Sequence, residues 1–295
     1  MKIVSLLPSA TEIVYLLGLD GWLRGRSFEC DHPVEVATVP IVSGTALPTD
    51  GSATSAEIDA AVTASVAAGE SLYTLDTEQI RAIGPDLIIS QDLCQVCAVP
   101  AGAVGEALAV IGCRSEVLSL DPMRLDDVIE GIGVIGRATG TEALAIELMA
   151  GLRGRLDSVV AGITPGPRPK VLLLEWGDPP FSAGHWMPDM VVAAGGEPIL
   201  AGVGERSGRL TWDQIAAEPI DVVVFAPCGF DLAAAIEQAL PLLERVELAH
   251  AGQFWAVDAN SYFSRPGPRV VDGVELLAGI VAGSHGVSGR SSRLR

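Results

Sequence analysis

Basic and aromatic side chains are both scarce in this sequence. The 19 Lys and Arg residues stand against 37 Asp and Glu residues, which gives a formal net charge of −18, and aromatic residues make up 5% of the chain. Because such a protein repels phosphate groups, nucleic acids and anionic membranes are excluded as its main partners. No apolar run reaches the roughly 20 residues that a membrane-spanning helix requires.

The N-terminal segment lacks the features of a secretory signal peptide. The first eight residues contain one Lys and one strand pattern, without an apolar core or a cleavage site. The five cysteines are an odd number, so they cannot all pair within the chain. Both features favour the reducing cytoplasm, and a periplasmic or extracellular location is expected instead if a signal peptide has been removed.

Signatures of catalysis are absent as well. The sequence has no G-x-S-x-G nucleophile elbow, no H-E-x-x-H metal motif and no G-x-x-x-x-G-K phosphate loop, and no G-x-G-x-x-G follows its first strand. We therefore expect a protein that binds its ligand without enzymatic activity.

What the sequence does contain is a repeated alternation of strand and helix patterns. In both halves, apolar strand segments precede helical ones, which predicts two Rossmann-like α/β lobes with mostly parallel sheets. Between them, Thr141 to Ile163 keeps apolar residues at helical spacing and ends at a Pro-Gly-Pro stop, which predicts one long linking helix. The predicted domains are residues 1–139 and 165–283 for the lobes, 140–164 for the linking helix, and 284–295 for a disordered tail.

Ligands of open parallel sheets bind beyond the carboxyl ends of the strands, so the segments that follow the predicted strands are candidate site residues. After the first strand, Pro8 and Ser9 precede a helix predicted over 10–17, with Ser9 and Glu12 as a capping box. This helix start could receive a polar group of the ligand, although an ordinary helix cap is the simpler explanation. The other candidates are Glu29, Asp31, His32, Asp92, Trp176, Phe181, His185, Trp186, Trp212, Tyr262, Phe263 and Arg265.

Four stretches of the chain resemble, in this order, the family of periplasmic-binding-protein-like proteins for cobalamin, haem and ferric siderophores. They are residues 6–12, 76–89, 179–196 and 262–269, and the resemblance spans essentially residues 1–282 and is closest to the cobalamin branch. It implies two lobes bridged by one long helix, with a corrinoid or related metal chelate held in the cleft between them.

The resemblance also implies roles for individual residues. Tyr262 and Phe263 resemble aromatic residues of the family's ligand wall, and Asp31 with His32 lies in the matching loop of the first lobe. Glu78 and Asp213 resemble the carboxylates that family members offer to the permease of an ABC transporter. Each of these two acids also falls in the first turn of a predicted helix, where the helix dipole alone favours an acid. Each Trp candidate either lines the ligand or caps a core.

The cysteines depart from this picture. Cys30, Cys94 and Cys97 follow two strands of the first predicted sheet, so we expect their sulfur atoms to lie close together, with Cys228 or His185 as a fourth ligand. Thiolates and imidazole suit zinc, an iron–sulfur cluster or the axial position of a tetrapyrrole. Reduced cysteines packed at strand ends explain the same pattern.

Three hypotheses for the function therefore stay open. The first is a corrinoid- or chelate-binding protein, with an ABC uptake system as its context. The second is a cytosolic protein that binds a metal or an iron–sulfur cluster through the cysteines. The third is a tetrapyrrole-handling enzyme such as a chelatase-like insertase.

Overall fold

A computed structural model of the chain describes residues 1–47, 54–68, 71–93, 99–283 and 289–295. The chain divides into two compact units, each with its own sheet. Unit 1 comprises Met1–Ser52, Ala60–Pro122 and Ile129–Met149, and unit 2 comprises Ala53–Asp59, Met123–Val128 and Ala150–Arg295. This division differs from the predicted lobes in that 53–59 and 123–128 belong to unit 2.

The sheet of unit 1 has four strands in the order β2-β1-β5-β6, and all neighbouring strands run parallel. A separate antiparallel pair is formed by β3 and β4. The strands are β1 Ile3–Ser5, β2 Leu23–Arg26, β3 Ser43–Thr45, β4 Tyr73–Leu75, β5 Leu87–Ser90 and β6 Glu116–Ser119. The helices are α1 Pro8–Leu16, α2 Ser55–Ala68, α3 Thr77–Ile83, α4 Ala101–Ile111 and α5 Leu125–Thr139.

The sheet of unit 2 has a parallel centre and antiparallel edges. In the order β10-β8-β7-β11-β12-β13, the strands β7, β11 and β12 run parallel, while β8 pairs antiparallel with β7, β10 with β8, and β13 with β12. The strands are β7 Lys170–Gly177, β8 Pro180–Ser182, β9 Glu197–Pro198, β10 Gly208–Arg209, β11 Val222–Phe225, β12 Gln253–Val257 and β13 Ser291–Arg293. The helices are α6 Glu142–Ala161, α7 Met187–Ala193, α8 Trp212–Ala217, α9 Leu232–Leu243, α10 Ala259–Tyr262 and α11 Val270–Val281.

The central strands of both sheets are buried, as the continuous apolar runs of the sequence predict. Ile88 and Ile89 of β5 and Val223 and Val224 of β11 have no exposed surface. Strands that are apolar on both faces are typical of parallel sheets covered by helices on each side. The α/β class and the mostly parallel character of the sheets are therefore confirmed.

The long helix of the sequence prediction is present as α6. Glu142–Ala161 is continuous over 20 residues, which corresponds to about 30 Å at 1.5 Å per residue. α5 and α6 are separated at Gly140, whose φ of 72° is in the left-handed region that glycine adopts without strain. The first residues of α6 belong to unit 1 and the later ones to unit 2.

The first helix begins differently from the prediction. Leu7 is its N-cap and Pro8 occupies the first turn, and no side chain caps the helix. Ser9 and Glu12 therefore form no capping box, and both are buried inside the unit. The reason is Pro8, whose fixed φ favours the first helical position and starts the helix earlier in the chain.

The end of the chain also differs from its prediction, because part of the expected disordered tail is a strand. Ser291–Arg293 forms β13, which pairs antiparallel with Trp255–Val257 of β12. An edge strand presents unpaired backbone N–H and C=O groups, and these bind another strand whatever its side chains are.

In the described parts of the chain, no helix is long and apolar enough to cross a membrane.

Candidate functional site

The loop after β2 in unit 1 is held in place by Arg26, the last residue of that strand. Its Nε donates to the carbonyl oxygen of Val39 at 3.1 Å, and its Nη1 donates to the carbonyl oxygens of Ser27 at 3.2 Å and Cys30 at 2.9 Å. Arg26 is buried, with 8% of its surface exposed. Because several carbonyl oxygens replace the water around one buried cation, the conformation of this loop depends on Arg26.

Cys30, a predicted metal ligand, points into the interior of unit 1. Its Sγ lies 3.1 Å from Thr11 Oγ1, which lies 2.9 Å from Ser5 Oγ, and the Ser5 hydroxyl donates to the carbonyl oxygen of Leu7 at 2.9 Å. The Thr11 hydroxyl is placed to donate to Ser5 Oγ or to Cys30 Sγ, and these contacts hold the sulfur inside the unit. Cys30 is 2% exposed, so in this conformation it is a buried residue. Its assignment as a metal ligand stays a prediction, because Cys94 and Cys97 lie outside the described residues.

The polar candidates in the same loop lie at the surface. Asp31 and His32 are exposed, and Glu29 is half-buried. All three follow β2, so they stand at the carboxyl edge of the unit 1 sheet, where a ligand of a parallel sheet is expected.

Asp92 follows β5 at the same edge and is exposed. Its backbone N–H donates to Asp121 Oδ1 at 2.5 Å, and its own Oδ1 accepts from the N–H of Gly102 at 3.3 Å. The Asp92 carboxylate thus ties the loop to the first turn of α4.

Of the two residues after β1, Pro8 is half-buried, whereas Ser9 is 2% exposed and unable to contact a ligand in this conformation.

The carboxyl edge of the unit 2 sheet carries an aromatic cluster, which consists of Trp176, Phe181 and Phe230. Trp176, near the end of β7, is the cross-strand partner of Phe181 on β8. Its ring centroid lies 5.8 Å from that of Phe230, in the loop after β11. All three side chains are half-buried. Aromatic faces that stay accessible at a sheet edge suit a flat, largely apolar ligand.

Tyr262 lies in α10, directly after β12, and is flanked by two guanidinium groups. The guanidinium carbon of Arg290 is 4.8 Å from its ring centroid and that of Arg269 is 5.9 Å away. Arg290 also forms an ion pair of 3.4 Å with Asp272. Tyr262 is half-buried, and so is Arg265 three positions along the chain. An aromatic ring near two cations suits a ligand with both flat and anionic parts.

Phe263 and Trp186 belong to the interior of unit 2. Phe263 has no exposed surface, and its carbonyl oxygen accepts a hydrogen bond of 2.8 Å from Nε1 of Trp186, which is 5% exposed. A side chain without accessible surface contacts no ligand, so the structure corrects the expectation that Phe263 lines the ligand wall. Only the neighbouring Tyr262 stands at the edge.

Trp212 is the first residue of α8, where the guanidinium carbon of Arg245 lies 3.9 Å from its ring centroid. The indole also packs against the apolar core of unit 2. The half-buried ring therefore contacts both a cation and the core of unit 2, and a role of Trp212 in ligand binding stays a prediction.

His185 does not lie in the loops that follow the parallel strands β7, β11 and β12 of unit 2. It follows the antiparallel strand β8, its φ is 56°, and its backbone N–H donates to the carbonyl oxygen of Glu205 at 2.5 Å. Its Nε2 is buried without a hydrogen-bond partner. Burial, and secondly the charge of Arg206, lower the pKa of the imidazole. This places His185 beside residues 204–206, away from the strand ends where the sequence prediction located it.

A metal centre built by the protein itself finds no support in the described residues, which contain no group of three or more His, Cys, Asp or Glu positioned for an ion. Cys228, in the loop after β11, is exposed and unpaired, and Cys113 is half-buried. Cys94 and Cys97 lie outside the described residues, so the predicted convergence of cysteines stays a prediction for that pair.

The sequence analysis missed several residues at the carboxyl edges of the two sheets. Phe230 follows β11 but was not singled out, although an aromatic residue in a post-strand loop is itself a usable signal. Arg26, Arg269 and Arg290 were missed because nothing in their local pattern distinguishes a buried or ring-stacked Arg from a surface one.

The structure is that of an α/β protein built from two units, each with its own sheet. Residues 3–251 match the model of the family described as periplasmic binding protein, and the chain belongs to this family. Two relatives from strains of Halobacterium salinarum, each named cobalamin-binding protein, are 26% identical to the chain, with 94% of this chain and 68% of each relative covered.

Solved structures show the same fold. The periplasmic vitamin B12 binding protein of Vibrio cholerae superposes with a TM-score of 0.68 at 20% identity, covering 95% of this chain and 96% of that one. A periplasmic heme binding protein from Pseudomonas aeruginosa superposes with a TM-score of 0.71 at 20% identity, covering 99% and 97%. At these identities the likeness establishes the fold alone.

Proposed function

We propose that this protein binds cobalamin or a related metal chelate at the carboxyl edges of its sheets, as the substrate-binding component of an ABC uptake system. The observation that carries the proposal is the set of half-buried aromatic side chains at the edge of unit 2, Trp176, Phe230 and Tyr262. A corrinoid presents a broad, flat face to such side chains. Relatives named cobalamin-binding protein, similar over nearly the whole chain, support the same ligand.

Haem is the second candidate, and a specific observation favours it. The guanidinium groups of Arg269 and Arg290 lie near the ring of Tyr262. A guanidinium group binds a carboxylate with two parallel hydrogen bonds, and haem carries carboxylates whereas cobalamin carries mainly neutral amides. Structural neighbours described as heme-binding proteins fit this candidate as well.

The test is a titration of the purified protein with cyanocobalamin and, separately, with haemin, followed by visible absorption and calorimetry. We expect saturable one-to-one binding of one of the two chelates, with quenching of tryptophan fluorescence because Trp176 lies at the proposed site. Absence of binding to both chelates, in protein whose thermal unfolding shows that it is folded, would refute the proposed ligand class.

Delivery to a permease is proposed to use one carboxylate in each unit. Glu78 is exposed in the first turn of α3, and Asp213 is exposed in the first turn of α8. Asp76 and Thr211 already cap these helices, so neither Glu78 nor Asp213 is needed as a cap. Charge reversal of both residues should abolish chelate-dependent uptake while leaving chelate binding unchanged.

We further propose that the protein binds without catalysis and acts outside the cytoplasmic membrane. The family named periplasmic binding protein supports this location. Fractionation of cells that express the full-length gene product tests it, and recovery in the cytoplasmic fraction would contradict it.

A further inference from the structure

The first residues of helix α2 lie across the aromatic cluster of unit 2. We call residues 54–59 the strap. The indole N–H of Trp176 donates to the carbonyl oxygen of Ser55 at 3.2 Å. The Ser55 hydroxyl in turn donates to Oε1 of Gln238, on α9, at 2.7 Å. Ser55 is 6% exposed, so these two bonds are shielded from water.

An ion pair anchors the other end of the strap. Nη2 of Arg209 lies 3.0 Å from Oδ2 of Asp59. The same guanidinium group lies over the ring of Phe181, 5.7 Å from its centroid. The strap thus contacts Trp176 directly and lies beside Phe181 through Arg209, so it is attached to two of the three members of the aromatic cluster.

The strap contacts the same aromatic cluster on which a ligand is proposed to stack. The aromatic cluster stands at the carboxyl edge of the parallel strands, where ligands of such sheets bind. In this structure the indole N–H of Trp176, a donor that suits a ligand amide or carboxylate, is bonded to Ser55. A chelate that stacks on the cluster and accepts this hydrogen bond has to displace residues 54–59.

We propose that the strap is a built-in competitor of the ligand, which covers the aromatic cluster in the ligand-free protein and leaves it when the chelate binds. This inference rests on the proposed function. Its anchors are individually weak, since the Arg209 side chain is 59% exposed and exposed ion pairs stabilise little. Ligand affinity is then reduced by the fraction of molecules in which the strap is docked.

Variants that undock the strap should therefore bind the ligand more tightly. Asp59→Asn and Arg209→Gln break the same ion pair but change the net charge in opposite directions. If the strap competes, both variants should bind cyanocobalamin or haemin up to about fivefold more tightly than the wild type, as expected for the loss of one exposed ion pair. A purely electrostatic effect on an anionic chelate would instead move the two affinities in opposite directions.

The matched control is Asp126→Asn, which breaks the exposed ion pair of 2.9 Å between Arg153 and Asp126 elsewhere in unit 2. It makes the same charge change as Asp59→Asn without touching the strap, and its affinity should equal that of the wild type. Hydrogen exchange provides the second readout. Backbone amides of residues 54–59 should exchange faster when ligand is added, because the ligand releases the strap.

Slower exchange of residues 54–59 on ligand addition, together with weaker binding by both ion-pair variants, would overturn the proposal and make the strap part of the ligand wall. Unchanged affinities would overturn it as well, while leaving the proposed function intact. Absence of chelate binding by the wild type and by every variant would refute the proposed function, and the competitor role with it.

Discussion

Nη1 of Arg26 donates a hydrogen bond of 2.9 Å to the carbonyl oxygen of Cys30, and this bond fixes the loop that carries Asp31 and His32. A buried guanidinium group at the end of β2 thus shapes the carboxyl edge of unit 1. The conformation of this loop therefore depends on a residue that the ligand itself does not have to touch.

Replacement of Arg26 tests this relationship. Arg26→Met should lower the free energy of unfolding by about 2–4 kcal/mol, because it leaves buried carbonyl oxygens without their donor. Arg24→Met is the matched control on the same strand. Arg24 is exposed and donates to the carbonyl oxygen of its neighbour Leu23, so its replacement should change stability by about 0.5 kcal/mol or less. Chemical denaturation of both variants measures the difference, and equal losses would contradict the role of Arg26.

The thiols should differ in reactivity. Cys228 is exposed and should be alkylated rapidly in the native protein, whereas Cys30 is buried and bonded to Thr11, so it should react only after unfolding. Mass spectrometry of peptides after timed treatment with iodoacetamide measures both rates. Rapid labelling of Cys30 would contradict its burial, whereas a zinc content that falls in Cys30→Ala would support its assignment as a metal ligand.

Tyr262 and Phe263 are neighbours in sequence but should give opposite phenotypes. Phe263→Ala should lower the free energy of unfolding by about 3–5 kcal/mol, because it removes a fully buried ring. Tyr262→Ala should weaken chelate binding by about tenfold, with a smaller effect on stability, because its half-buried ring stands at the proposed site. Calorimetric binding and thermal unfolding of both variants separate the two effects. Unchanged binding by a folded Tyr262→Ala protein would remove Tyr262 from the site.

Stability should decrease as the solution becomes acidic, and His185 should contribute to this decrease. Burial lowers the pKa of His185 in the folded protein, while the unfolded chain titrates near the ordinary value of 6.5. Above pH 6.5 the imidazole is neutral in both states. Below it, the unfolded chain binds a proton that the folded protein takes up only at lower pH, so unfolding is favoured as the pH falls through this range.

His185→Asn should therefore flatten the dependence of stability on pH between about 7 and 5. Asn is the chosen replacement because it tolerates the positive φ of 56° at this position. His250→Asn, at an exposed position, serves as the control. A variant that keeps the slope of the wild type in denaturation curves across this range would show that other groups cause it.

Much of the fold was predictable from local pattern. The apolar runs of β5 and β11 and the helical spacing across α6 are properties of short segments, and α6, Glu142–Ala161, lies within two residues of the predicted Thr141 to Ile163 at each end. The prediction that candidate residues follow strands also needed only chain order, because parallel strands end at the same edge of a sheet. The location of Asp31, His32, Trp176 and Tyr262 at such edges follows from this rule.

Tertiary structure decided which of those residues are accessible. Tyr262 and Phe263 carry similar rings in adjacent positions, yet Phe263 is buried beside Trp186, which bonds to its carbonyl oxygen, while Tyr262 stays half-buried at the edge. Likewise, β13 forms because β12 offers an unpaired edge far away in sequence, which no property of the polar tail itself reveals. Sequence determines elements through local periodicity, whereas burial and hydrogen-bond partners are set by segments that meet only after folding.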